Sequence, residues 1–224
     1  MEKKEIKIHF DKKCGKIKPM HSLNGGPRSG GYGLPFDFSD EYTEMATPIV
    51  RTVGAAGEYG HNQFVNVHAI FPDFDADEEN PESYNFQPTD LYLEKIRETG
   101  AEIFYCFGEA REPYTKKLYA KAPRDMEKWA RIVEHILMHY NEGWANGFKM
   151  GIKYVEIWSA PDSPDGFEGD MREYFELYRV AATHLRERFP RLRIGAYVLC
   201  KCSNPMLRFW ILMLSFMFVS NARP

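Results

Sequence analysis

From about residue 48, short apolar runs alternate with longer stretches whose apolar residues recur every three or four positions. That alternation predicts parallel strands joined by helices, an α/β chain. Residues 17–23 read as a first strand, leading into the Gly-rich turn Asn24-Gly25-Gly26-Pro27 and a loop that reaches Phe38. Ser39 or Asp40 is placed to cap a short helix running to Ala46, and Pro48 to Thr52 reads as the second strand. A long segment holding Asp73, Asp75, Asp77 and Pro81 then precedes a helix from about Thr89 to Thr99 that stops at Gly100. Long connections after strands tend to carry function. Ala101 to Phe107 is the third strand. Asp125 to Tyr140 is a helix whose Trp129, Ile132, Val133, Ile136 and Leu137 fall on one face, as core residues do. Ile152 to Trp158, a helix from Asp170 to Phe189, and Leu192 to Val198 after Pro190 complete five strands and four helices.

A closed (β/α)8 TIM barrel typically takes ~250 residues. The pattern therefore predicts a partial barrel of about the first five strands over residues 1–198, with three strand–helix units absent. Residues 199–224 read as a separate hydrophobic tail in which Met206 to Val219 is apolar except for Arg208 and Ser215. That run falls short of the ~20 residues of a spanning helix, which argues against a membrane anchor and for an out-of-place, aggregation-prone segment left by truncation or a shifted reading frame.

Composition narrows the function classes. At 224 residues and 44% hydrophobic, the chain can bury a real core. A net charge of −3 offers no basic face for nucleic acid, and an aromatic share of 15% fits ring-lined pockets. The charged start, Met1 to Glu5, has no apolar signal core, so the default location is cytoplasmic. Cys14, Cys106, Cys200 and Cys202 are too scattered for a disulfide framework, and Cys200-x-Cys202 lacks the second ligand pair of a zinc site. Asp73, Asp75 and Asp77 resemble the start of a calcium loop but have neither its Gly at the sixth position nor its Glu at the twelfth, and read better as a solvated acidic loop. Neither a metal nor a cofactor is implied.

Reactive groups of a parallel barrel sit at the C-terminal ends of its strands, which is where Trp158 to Asp162 and Gly108-Glu109 fall. The motifs His21-Ser-Leu-Asn-Gly-Gly-Pro27, Tyr84-Asn-Phe86, Asp125-x-x-Lys128-Trp129, Glu156-Ile-Trp158-x-x-Pro-Asp162 and Tyr174-Phe-x-Leu-Tyr178 stand along the chain. On these, residues 17–197 resemble the clan A glycoside hydrolases, and most closely family 39, the β-xylosidase and α-iduronidase family. The resemblance implies cleavage of O-glycosidic bonds by a retaining double displacement and a carbohydrate partner of xyloside or uronide type.

Such families write the strand-four motif as Trp-Asn-Glu-Pro, with the Asn on the sugar 2-hydroxyl and the Glu as general acid/base. Here those positions are Ser159 and Ala160. Alanine carries no proton, and a positioned general acid contributes roughly 10²–10⁴-fold. Retaining hydrolysis also needs a second carboxylate ~5–5.5 Å from the first. In the family it comes from strand seven, beyond the five strands read here. Arg51-Thr52-Val53-Gly54 and Cys106-Phe107-Gly108-Glu109 depart from the family's polar pocket as well.

The remaining candidates are Glu109, as a substitute acid or a loop carboxylate paired with a neighbouring cation, and His21, Asn24, Arg51, His68, Trp158 and Ser159 as sugar contacts. Trp158 reads equally as a sugar platform or a barrel-core ring, and Glu156 as a buried structural carboxylate. The expectation is a glycosidase-lineage chain with impaired catalysis. The alternatives are a carbohydrate-binding pseudoenzyme, and a half-barrel whose open edges lead it into a homo-oligomer.

Overall fold

The computed structural model describes residues 11, 12, 15, 18–27, 37–53, 65–108, 116, 118–163 and 165–195. Their backbone forms one parallel sheet of five strands in chain order: β1 (Leu23–Asn24), β2 (Ile49–Arg51), β3 (Glu102–Phe107), β4 (Tyr154–Ile157) and β5 (Arg193–Gly195). Every pairing is parallel, with Val50 opposite Ile103, Tyr105 opposite Val155 and Val155 opposite Ile194. Between the strands lie α1 (Ser39–Glu44), α2 (Val67–Ile70), α3 (Gln87–Glu98), α4 (Met126–Asn141) and α5 (Met171–Arg188). This is the opening arc of a (β/α) barrel, as the alternating pattern predicts.

The helices begin and end for local reasons. The Asp125 carboxylate accepts from Lys128 N–H at the start of α4. At α5 the Asp170 carboxylate accepts from the N–H groups of Arg172 and Glu173, while the Glu173 carboxylate accepts from Asp170 N–H, a closed capping box. Helix α3 ends where Gly100 turns left-handed, at φ 83°.

One face of the sheet supplies Val50, Ile103, Tyr105, Phe107, Val155, Ile157 and Ile194 to a core shared with Leu93 and Ile96 of α3, Ile132, Val133 and Ile136 of α4, and Leu177, Ala181 and Leu185 of α5. Strand side chains alternate between faces. The intervening residues therefore point to the other side, where Phe104 and Tyr154 meet edge-on and the Arg193 guanidinium lies 5.6 Å from the Tyr154 ring centre.

Several elements differ from their sequence expectation. The first strand, expected over 17–23, is two residues long and lies at Leu23–Asn24, where the backbone pairs with Val50 and Arg51 of β2; residues 18–22 are not strand, and Ile17 lies outside the described residues. The short helix α2 and a single 3-10 turn at Pro81–Ser83 interrupt the acidic connection that reads as irregular. In that connection the Asp73 and Asp77 carboxylates accept from the N–H groups of Asp75 and Glu79, and Asp75 pairs with Arg124. The predicted fifth strand runs to Val198, but its residues from 196, the tail at 199–224, and Cys14, Cys200 and Cys202 lie outside the described residues. Cys106 is a buried thiol in β3. Among the described residues no helix is long and apolar enough to cross a membrane.

Candidate active site

The C-terminal ends of β1, β2 and β4 converge on Arg51. Its guanidinium forms a two-point pair with Glu156 of β4, Nε donating to Oε2 at 2.7 Å and Nη2 to Oε1 at 3.0 Å. Nη1 donates to Asn24 Oδ1 at 3.2 Å, and Nη2 reaches Ser159 Oγ at 3.4 Å. Strand β3 lies between β2 and β4, so only a side chain as long as arginine, with a planar fork, can join these groups. The Glu156 side chain is 1% exposed and that of Arg51 is 19% exposed. Burial works to lower the Arg51 pKa, and the Glu156 carboxylate more than offsets it, leaving the guanidinium above its ordinary range. The result is a charge-balanced polar cluster, held from below and open above through Arg51 and Asn24.

The Gly-rich turn after β1 is fixed from two helices. Tyr42 Oη of α1 donates to Gly25 O at 2.9 Å, and Gly26 N–H donates to Tyr92 Oη of α3 at 2.6 Å. A Cβ on Gly26 would stand 2.8 Å from both Ile96 and the Tyr92 ring, so the close packing that sets Asn24 in place requires glycine there.

Strand β4 ends in a strained turn. Trp158 N–H donates to Phe107 O at 2.6 Å, and both Trp158 and Ala160 are left-handed, at φ 69° and 52°. Each such residue costs roughly 1–2 kcal/mol, which the surrounding packing must offset. The Trp158 indole is 1% exposed, donates from Nε1 to Gly166 O at 2.8 Å and meets Phe167 edge-on at 5.2 Å. It lies so close over Gly108, itself at φ 122°, that a Cβ there would be 2.7 Å from the ring. Of the two readings the sequence leaves open for Trp158, the geometry matches the core ring. Ser159 joins the Arg51 cluster, and Ala160 is 4% exposed with its carbonyl accepting from Ser163 N–H at 3.0 Å.

Asn24, Arg51 and Ser159 are thus brought together, with Ala160 next in the chain, while the two histidines stand apart. His21 Nε2 is 3.1 Å from Ala46 O, and His68 is stacked on Tyr119 with ring centres 3.7 Å apart. Glu109 lies outside the described residues. Glu156 emerges as the anchor of the cluster. Its burial within a strand is readable from sequence, but its partner, 105 residues away, is not. Two clefts lined by described residues, of about 250 and 240 Å³, lie elsewhere: at the N-terminal ends of β3 and β4 beside Arg97 and Lys153, and between α4 and α5 beside Arg131 and His184. Neither adjoins the cluster.

Parallel strands with a polar cluster at their C-terminal ends define the class, a (β/α)-barrel protein with its site on the side where barrels carry chemistry. The family model of glycosyl hydrolases family 39 matches residues 9–207, and the chain belongs to that family. It is 22% identical over 178 residues to a β-xylosidase of Geobacillus stearothermophilus, covering 73% of this chain and 34% of that protein. A second β-xylosidase, from Caldicellulosiruptor saccharolyticus, is 26% identical over 122 residues, 50% of this chain and 25% of its own length. The chain therefore spans about a third or less of these relatives. Among solved structures, a glucosidase from Croceicoccus marinus superposes with a TM-score of 0.63 at 27% identity, over 80% of this chain and 37% of that one. A family 51 α-L-arabinofuranosidase from Bifidobacterium longum, at 16% identity and a TM-score of 0.50 over 82% of this chain and 39% of its own, shares the fold.

Proposed function

We propose that this chain recognises glycosides of β-xyloside type at the C-terminal edge of its sheet and is impaired in hydrolysing them. The observation that carries the proposal is Ala160. The turn after β4 carries left-handed Trp158 and Ala160 on either side of a Ser159 that Arg51 reaches, yet the side chain at the position where the resemblance implies a general acid is a methyl group. In this reading Asn24, Arg51 and Ser159 hold sugar hydroxyls. Arg51 is kept in place by Glu156, and its charge is already balanced before a ligand arrives.

Without a proton donor the leaving oxygen departs as an alkoxide, and the loss should amount to roughly 10²–10⁴-fold. Aryl glycosides with good leaving groups depend less on the acid and are the sensitive probe. The parent chain should bind xylo-oligosaccharides in calorimetry and show no turnover of aryl β-xylosides, aryl β-glucosides or aryl uronides. The double variant Ser159→Asn/Ala160→Glu, checked by circular dichroism, tests whether position 160 is what limits the rate. Turnover appearing only in that variant shows that a nucleophile carboxylate is present and overturns the missing-strand expectation, while continued inactivity in a folded variant supports binding without hydrolysis. Turnover already present in the parent, and lost in Glu109→Gln, overturns it and moves the acid role to Glu109.

A further inference from the structure

The connection between β3 and α4 carries two exposed apolar side chains on the same side of the sheet as the Arg51 cluster: Leu118, 55% exposed, and Tyr119, 46% exposed. The Tyr119 ring lies flat against the His68 imidazole, with centres 3.7 Å apart and planes within 2°. Its loop is tied down on the other side. Ala120 is fully buried and accepts from Glu168 N–H at 2.5 Å, and Lys121 pairs with Glu168 in a parallel bridge. Glu168 belongs to the connection that starts at Trp158 and contains Ala160.

The geometry points to Tyr119, backed by His68, as a stacking platform for the leaving-group part of a glycoside held at the C-terminal edge of the sheet. A pyranose presents axial C–H bonds on one face, and the negative face of an aromatic ring attracts that edge while burying apolar surface. A tyrosine already fixed by a stacked neighbour loses little rotamer freedom when a ligand arrives. The side is set by chemistry: a general acid protonates the oxygen of the leaving group, so position 160 marks where that group sits. The Tyr119 loop is hydrogen-bonded to the segment that follows position 160. This inference rests on the glycoside-binding reading above and names the part of the ligand that Tyr119 holds.

The test is calorimetric titration of the full chain and its variants with xylose and with xylotetraose. The parent should bind xylotetraose more tightly than xylose. Tyr119→Ala should lose roughly three- to tenfold in xylotetraose affinity with its weak xylose binding unchanged. Tyr119→Phe should retain parental affinity, because the ring and not the hydroxyl does the stacking, and His68→Ala should fall between. Tyr119→Leu, apolar but not aromatic, should match the alanine variant and serves if that variant does not fold. Equal xylotetraose affinity in the parent and in a folded Tyr119→Ala or Tyr119→Leu overturns the platform and leaves the glycoside-binding reading in place. Failure of the parent to bind either sugar overturns that reading, and the platform with it.

Discussion

Glu156 illustrates what a single buried carboxylate does at the end of a barrel strand. It is 1% exposed and satisfies two guanidinium donors of Arg51, so its charge is compensated by geometry and not by water. Removing one partner of such a pair strands the other. Glu156→Gln keeps the shape but leaves the half-buried Arg51 cation without a counter-charge, and should lower unfolding free energy by roughly 2–4 kcal/mol, somewhat under the range for fully buried pairs because Arg51 reaches solvent. The urea midpoint measures this. A shift under about a quarter of that size would mean that the pair is not the anchor described here. Arg51→Lys should also weaken the cluster, since a point charge cannot bridge Glu156, Asn24 and Ser159 together. Ala160 shows the opposite case at this scale. Its side chain adds no chemistry, but its left-handed backbone keeps the turn that follows β4.

At the scale of elements, stability and site placement come from the same contacts. Helices α4 and α5 pack on the core face of the sheet, and the ends of α5 decide how β4's connection returns to the barrel wall. Tyr174 of α5 donates from its hydroxyl to Ile157 O at 2.9 Å, linking the first turn of that helix to the last residue of β4. The Asp170 capping box sets where the helix starts and hence where Tyr174 stands. Asp170→Ala should cost about 1 kcal/mol in thermal or chemical unfolding, because two N–H groups lose their acceptor. The periodic apolar positions of α4, Trp129, Ile132, Val133, Ile136 and Leu137, are all buried, so the face predicted from spacing is the face that packs. The strand boundaries were less legible. Pleated apolar runs of four to eight residues give no local stop signal, and hydrogen bonding to a neighbouring strand trims them, as at Ile49–Arg51 and Tyr154–Ile157.

For the molecule as a whole, the acidic connection between β2 and α3 acts as a clasp on α4. Burial pushes the Glu78 carboxyl upward, but hydrogen bonds from Arg131, the backbone and Lys128 outweigh it and bring the pKa from the usual 4.5 to about 2. Arg131 Nε lies 2.8 Å and Lys128 Nζ 3.2 Å from the Glu78 carboxylate. Because the folded chain holds this proton less tightly than the unfolded one, the contribution is fully present above pH 4.5 and is lost as pH falls toward 2. Unfolding followed between these two values should show stability declining with acid, and Glu78→Gln should flatten that decline. A parallel pH dependence in the variant would assign the acid sensitivity to other carboxylates.

The division between sequence and tertiary structure follows from range. Local rules determined the α/β order, the helical faces, the caps at Asp125 and Asp170, the family resemblance carried by Glu156-Ile-Trp158, and the absence of an acid at position 160, because propensity, capping and motif identity act over a few residues. Only the fold decided that Arg51 and Glu156, 105 positions apart, form one pair, that Trp158 lies under the turn against Gly108, and that His68 and Tyr119 stack at the rim. Parallel strands bring residues together across intervening helices, so a contact between alternate strands leaves no spacing signal in the chain. Which face of a ring is open to a ligand depends on what packs behind it, and here that is supplied by the assembled connections and not by the residues beside it in sequence.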